Sequence, residues 1–166
     1  LSRGLGDVYK RQGGDNTAIG LGALGNNISA SFNMAFGRNA IGLITGGNNV
    51  AIGYFAGYSL NAGAYNTVIG DQSFKNAAAH SGTGNTALGG LTGYNNTGNY
   101  SIFLGYRAGY NETGSNKLYI ANSETSTPLI YGLFTGTGAG LTINSQATDG
   151  VPLTVKGITS QSLSLI

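Results

Sequence analysis

One segment has the glycine spacing of a nucleotide-binding loop. Gly20-Leu-Gly-Ala-Leu-Gly25 matches G-x-G-x-x-G, in which glycines let the backbone approach a pyrophosphate. Such a loop needs a strand before it, a helix after it and an acidic residue about 20 positions later. Here Gly25-Asn26-Asn27 breaks the helix, and the region around Thr45 contains no acid. We therefore interpret the segment as part of a structural repeat, and Thr135–Gly140, which has no lysine for a phosphate, as a loop.

Side chains that perform catalysis or bind metals are sparse. His80 is the only histidine, and histidine sites need partners. There are no cysteines, which excludes thiol catalysis and thiolate metal sites. The acids outside the first twelve residues form no pair at corresponding repeat positions, which argues against glycosidase carboxylates and calcium-binding repeats. These acids are Asp15, Asp71, Glu112, Glu124 and Asp149. We predict no catalytic, cofactor-binding or metal-binding residue, and a protein that is not an enzyme.

The composition restricts the class of protein further. Charged residues make up 8% of the 166-residue chain, against about 25% in a typical soluble domain. No apolar run approaches the roughly 18–20 residues of a membrane span. Residues 1–12 carry three of the eight basic residues and one of the six acidic ones, so five of each remain without them. Because the repeat region is then neutral, we predict neither nucleic-acid binding nor membrane contact.

The dominant feature is a five-residue motif, Asn-Thr-Ala-Ile-Gly with close variants, that recurs six times. The copies are 16–20, 33–37, 49–53, 66–70, 85–89 and 101–105. Their closing glycines, Gly20, Gly37, Gly53, Gly70, Gly89 and Gly105, are 17, 16, 17, 19 and 16 residues apart. A unit this short cannot fold alone, so the copies must stack on one another. Val, Ile and Thr favour strands, and Gly and Asn favour turns. The sequence thus predicts an all-β solenoid, a parallel β-roll of about six coils of 16–19 residues.

The alternation along each strand predicts two faces. We expect the fourth motif residue to form the apolar core column, with the first-position Asn and third-position Ala on the opposite face. The core column is predicted to contain Ile19, Phe36, Ile52, Ile69, Leu88 and Leu104. The closing glycine permits a positive φ at the corner, and the Asn there tolerates a left-handed conformation. Because one aliphatic column makes a thin core, we expect a second buried face shared with identical copies.

The repeat as written in Asn16-Thr-Ala-Ile-Gly-Leu-Gly-Ala-Leu24 resembles the head repeats of YadA-like trimeric autotransporter adhesins, and related repeats in phage tail fibres. The resemblance covers about residues 13–115. It implies a left-handed parallel β-roll, a homotrimer, and a location at the bacterial outer membrane or on the virion tail. The unit here is longer than the adhesin unit, so we expect one enlarged turn.

We divide the chain into four segments. Residues 1–12 resemble translated sequencing-adapter read-through, 13–115 form the roll, 116–160 form a β-rich extension, and 161–166 resemble a further adapter frame. In the extension we predict strands at 116–122, 127–132, 140–144 and 151–157. We expect the chain to be a fragment of a longer protein.

The predicted function is rigid, multivalent display for attachment to host matrix protein, glycan or envelope polysaccharide. Two copies of Gly-Tyr-x-Ala-Gly-Tyr suggest a ligand surface made of Tyr54, Tyr58, Tyr106 and Tyr110. The simpler explanation, which we favour, is that these tyrosines cover the roll or fill a chain contact. One alternative is an ice-binding solenoid that uses Thr17, Thr67 and Thr86, a column expected to be buried. The other is a polysaccharide-degrading β-helix enzyme, for which Asp71 is the residue to test.

Overall fold

The computed structural model describes residues 13–75, 81–135 and 139–143, and within these residues all regular structure is β. In this described part of the chain, nine strands lie side by side in one sheet, in chain order. They are β1 (Thr17–Ile19), β2 (Met34–Phe36), β3 (Val50–Ile52), β4 (Thr67–Ile69), β5 (Thr86–Leu88), β6 (Ile102–Leu104), β7 (Lys117–Ile120), β8 (Ile130–Leu133) and β9 (Gly140–Ile143). The first three predicted strands of the C-terminal extension correspond to β7, β8 and β9. The fourth, at 151–157, lies outside the described residues, as do His80 and the two adapter-like ends.

The first seven strands pair in parallel with each motif residue on its counterpart. Ala18 pairs with Ala35, Ala35 with Ala51, and the same register continues to Phe103 and Tyr119. Each coil therefore returns the chain to the same position one strand further on. This confirms the predicted all-β solenoid, with about six turns of roughly 16 residues. From β7 onward the direction changes, because β7, β8 and β9 pair antiparallel.

The predicted core column is on the wrong side of the strands within this chain. Ile19 is 53% exposed and Phe36 is 52% exposed. Leu88 and Leu104 are likewise exposed, and Ile52 and Ile69 are half-buried. In β1 to β6 the middle residue of each strand points into the roll instead, and in β2 to β6 it is fully buried. These residues are Ala35, Ala51, Val68, Ala87 and Phe103, with Ala18 of β1 half-buried.

The narrow interior of the coil explains this orientation. The small residue three positions after each corner glycine is buried in all six coils, and it joins the same core as the strand alanines. These are Ala23, Ala40, Ala56, Ser73, Thr92 and Ala108. These two columns share the interior with larger side chains, Leu24, Ile41, Leu60 and Phe74, which are fully buried. The interior is therefore filled without Ile19 and its equivalents.

The motif Asn is buried with its polar atoms paired along the roll. The Oδ1 atom of each Asn accepts the backbone N–H of the next copy at 2.8–3.0 Å, from Asn16 through Asn85 to Ser101. The Nδ2 groups of Asn49, Asn66 and Asn85 also donate to the preceding Oδ1 at 3.0–3.1 Å. Buried amides are stable only when paired in this way. The ladder lets a polar residue occupy the interior face.

The corner glycines behave as predicted, with φ between 111° and 140° in all six copies. At Gly53, φ is 135° and an added Cβ would lie 2.6 Å from the carbonyl oxygen of Gly70 in the next coil. Both the conformation and the close approach require glycine. The prediction for the Asn is wrong, because the left-handed residue is the one before it, as at Phe32 and Tyr65. The Asn side chain instead bonds the adjacent coils.

The C-terminal end of the roll has an aromatic interior. Phe74 packs against Phe103 at a ring-centroid distance of 6.0 Å, and Phe103 against Tyr119 at 5.8 Å. Phe103 replaces the strand alanine, and Gly93 and Gly109 provide the space, since an added Cβ at either would contact its ring. The interior thus widens toward the antiparallel strands.

Candidate functional site

One uncovered feature of the roll is the outer face of the parallel sheet, which we call the outward face. It consists of the first and third residues of β1 to β6: Thr17, Ile19, Met34, Phe36, Val50, Ile52, Thr67, Ile69, Thr86, Leu88, Ile102 and Leu104. None of these twelve residues is charged, and nine are apolar. The register continues the face onto Leu118 and Ile120 of β7.

The geometry of the outward face is regular. Strand pairing fixes neighbouring coils about 4.7–4.9 Å apart, so equivalent side chains form straight columns. One column is aliphatic or aromatic in every coil, and the other contains three Thr with one Met, one Val and one Ile. A continuous apolar surface of this kind is typical of an interaction site. The sequence correctly predicted that the third residues of the strands form one column. The prediction that this column lies in the interior was wrong.

Tyr54 and Tyr106 occupy the same repeat position, directly after a corner glycine, and both are exposed. They are three coils apart, which corresponds to about 14 Å along the roll. Asp71 and Gly90 occupy this position in the coils between them. The two tyrosines therefore share an edge, as the sequence suggested, without contacting each other.

Tyr58 and Tyr110 occupy a second repeat position, five residues after the corner glycine, and each is half-buried. Tyr110 stacks on Tyr94 of the preceding coil, with ring centroids 4.8 Å apart and ring planes 1° from parallel. The guanidinium carbon of Arg107 lies 4.7 Å from the Tyr110 ring centroid. Sequence reasoning missed Tyr94, although alignment of the six coils on their glycines places it in the same column.

A separate aromatic group surrounds Tyr54 and Tyr58. Phe55 contacts both rings edge to face, at centroid distances of 4.6 and 4.9 Å. The ammonium group of Lys75 lies 4.7 Å from the Phe55 ring, and Arg38 lies 5.9 Å from the Tyr54 ring. Tyr54 and Tyr58 thus belong to one aromatic group and Tyr110 to another, each with a cation beside an aromatic ring.

The part of the chain that the structure describes contains no group of three His, Cys, Asp or Glu side chains placed to hold a metal ion. Asp71 lies on the surface, where its carboxylate accepts a hydrogen bond from Gln72 at 3.2 Å. Within the same described ranges, no helix is long and apolar enough to cross a membrane.

No protein-family model, curated protein or solved structure matches this chain.

Proposed function

We propose that this chain is a structural display element that assembles with two further copies of itself and attaches a bacterial cell surface or a virion tail to an extracellular ligand. The observation that supports the proposal is the outward face, which carries no charge, is apolar at nine of its twelve positions and is exposed or half-buried along all six coils.

A parallel sheet is normally covered on both faces. The interior of the roll covers one face, and the other exposes side chains such as Ile19 and Phe36 to water. Burying an apolar side chain of this size is worth about 1.5–3 kcal/mol. A surface that repeats this contact in every coil therefore favours association.

A second copy of the same chain suits the outward face because its columns have the same period. Copies related by rotation about an axis parallel to the roll keep their coils in step, so each apolar column meets another along its length. Rotational symmetry closes such an assembly into a ring of defined size. The resemblance of the motif to YadA-like heads favours three copies.

Assembly gives the function its physical basis. A rigid stack of coils holds surface residues at fixed spacing, and three chains present each surface three times. Linked binding sites raise the overall affinity for a repetitive ligand without any new contact. The ligand class we propose is a host matrix protein, a surface glycan or an envelope polysaccharide.

Sedimentation equilibrium tests the assembly. We expect the wild-type chain to sediment at three times its mass of 16.8 kDa. The double variant Ile52→Lys/Ile69→Lys places two charges on the outward face and should sediment as a single chain. Ile28→Lys, which changes an exposed isoleucine in a turn, is the matched control and should remain trimeric. A wild-type chain that is folded by circular dichroism and monomeric at all concentrations refutes the proposal.

One observation favours an ice-binding surface as a second candidate. Thr17, Thr67 and Thr86 are exposed on the outward face, where the sequence had suggested a buried column. Met34, Val50 and Ile102 interrupt the threonines, so the array is irregular. Thermal hysteresis that disappears in Thr67→Lys would support ice binding, and freezing behaviour equal to that of an unrelated protein would exclude it.

A further inference from the structure

We propose that the cleft between the sixth coil and the segment after β7 binds a neutral saccharide unit. The cleft is formed by Tyr110, Asn111 and Glu112 of the last coil, Tyr119 of β7, and Glu124 and Thr125 beyond it. Its volume is about 430 Å³, within the range of about 300–1,000 Å³ that is typical of small-molecule sites. We call it the terminal cleft.

Two carboxylates in the terminal cleft are already held in position. Glu112 accepts the backbone N–H of Gly114 and the hydroxyl of Tyr119, each at 2.7 Å. Glu124 accepts Asn111 Nδ2 at 2.5 Å and lies 3.1 Å from Arg107. Each carboxylate oxygen has two lone pairs, so both groups can still accept hydrogen bonds from ligand hydroxyls. Fixed acceptors reduce the entropy lost on binding.

The charge balance favours a neutral ligand over a cation. Arg107 forms an ion pair with Glu124. Lys117 is near Glu112, and its pKa is raised by its hydrogen bond to Tyr131 and by the negative charge of Glu112. Glu124 thus has an ion-pair partner, and Glu112 has a cationic side chain nearby. The chemistry that remains is hydrogen-bond acceptance, which suits hydroxyl groups.

Two aromatic side chains supply the apolar part of the cleft. Tyr119 is nearly buried and is held by its hydrogen bond to Glu112. Tyr110 is half-buried and is held by its stack on Tyr94 and by Arg107, whose guanidinium carbon lies 4.7 Å from its ring centroid. A pyranose combines hydroxyl groups with apolar C–H groups, and the exposed parts of amphipathic aromatic side chains beside polar acceptors complement both. The terminal cleft therefore matches a sugar better than an ion or a purely apolar ligand.

The inference deepens the proposed attachment function and rests on it only for the biological role of the cleft. In a trimer, three terminal clefts would act together on a repetitive glycan. Binding by one cleft does not require the trimer, so the two proposals can fail independently.

Saturation-transfer NMR on the full chain tests the cleft. The probes are the methyl glycosides of glucose, galactose, mannose and N-acetylglucosamine, with methylammonium and Ca²⁺ as competitors. We expect at least one glycoside to bind at millimolar concentration and neither cation to displace it. Tyr110→Ala and Glu124→Ala should each weaken binding at least about tenfold, as for a central contact. Tyr106→Ala, in the same sequence motif and outside the cleft, should bind as the wild type does.

Three results would overturn the inference. The first is that none of the four glycosides shows saturation transfer. The second is that Tyr110→Ala and Glu124→Ala bind as well as the wild type does. The third is that methylammonium or Ca²⁺ displaces a bound glycoside. Circular dichroism of each variant separates lost binding from lost folding, and Glu124, at a half-exposed surface, is the variant least coupled to the core. A trimer that binds no glycoside refutes the cleft alone, whereas a monomer that binds one refutes the assembly alone.

Discussion

The buried asparagine ladder is expected to be worth several kcal/mol per coil, and Asn49→Ala measures it. Asn49 is fully buried in the third coil. Its Oδ1 accepts the backbone N–H of Asn66 at 2.9 Å, and its Nδ2 donates to the carbonyl of Gly63 at 2.9 Å. Alanine removes both partners and provides neither a donor nor an acceptor.

The expected magnitude follows from the groups left unpaired. In the variant, Asn33 Oδ1 still accepts a hydrogen bond from the backbone N–H of residue 49. The carbonyl of Gly47 still accepts one from the N–H of Tyr65. The N–H of Asn66 and the carbonyl of Gly63 are then the two orphaned groups. Each buried orphan costs about 1–3 kcal/mol, so Asn49→Ala should lower the free energy of unfolding by about 2–6 kcal/mol.

A graded series makes the prediction specific to hydrogen bonding. In the sixth copy Ser101 replaces the Asn, and its Oγ accepts the N–H of Lys117 at 3.1 Å. Asn49→Ser should likewise keep the N–H of Asn66 paired and orphan only one carbonyl, at a cost of about 1–3 kcal/mol. Asn26→Ala, which removes one bond from an exposed Asn, should stay within about 0.5 kcal/mol of the wild type.

Urea unfolding followed by circular dichroism gives these differences, with all variants at one protein concentration. The order of stability should be Asn26→Ala, then Asn49→Ser, then Asn49→Ala. If Asn49→Ala costs no more than Asn26→Ala, the ladder does not hold the coils together. If Asn49→Ser costs as much as Asn49→Ala, the pairing of the next coil's N–H is not the reason.

Two further predictions concern the corner and the end of the roll. Gly53→Ala forces a side chain into φ 135° and against the Gly70 carbonyl, so it should lower the free energy of unfolding by at least about 1–3 kcal/mol. Gly14→Ala, where an added Cβ meets open space, should leave the melting temperature unchanged. Equal melting temperatures for the two variants would contradict the steric argument. Burial, followed by the hydrogen bond to Glu112, raises the pKa of Tyr119 above its ordinary value of 10.0. As the pH rises, the unfolded chain loses the Tyr119 proton before the folded chain does, so the contribution of Tyr119 to stability should be complete below about pH 10 and fall above it. Tyr119→Phe should flatten this fall in urea midpoints measured from pH 8 to 11. If the fall is unchanged in the variant, other groups cause it.

Much of the fold could be predicted from the repeat, and the candidate sites only in part. One column of the outward face was recognised because Ile19 and Phe36 share a motif position. The terminal cleft was not recognised, since Glu112 and Glu124 lie on different segments and meet only through the path of the chain around β7. Tyr110 was identified from its motif, while its partner Tyr94 lies outside that motif and is found only when all six coils are aligned.

The sequence by itself determined the coil length, the corner glycines, the register and the alternation of two faces along each strand. It did not determine which face is inside, because alternation along a strand defines two faces without showing which of them is buried. Hydrophobicity alone favours Ile19 and its equivalents for the interior. The tertiary structure reverses this, because two small-residue columns fill the coil together with Leu24, Ile41, Leu60 and Phe74, and the stacked Asn side chains satisfy one another. Ladder pairing exists only between coils, so no single copy of the motif contains the information.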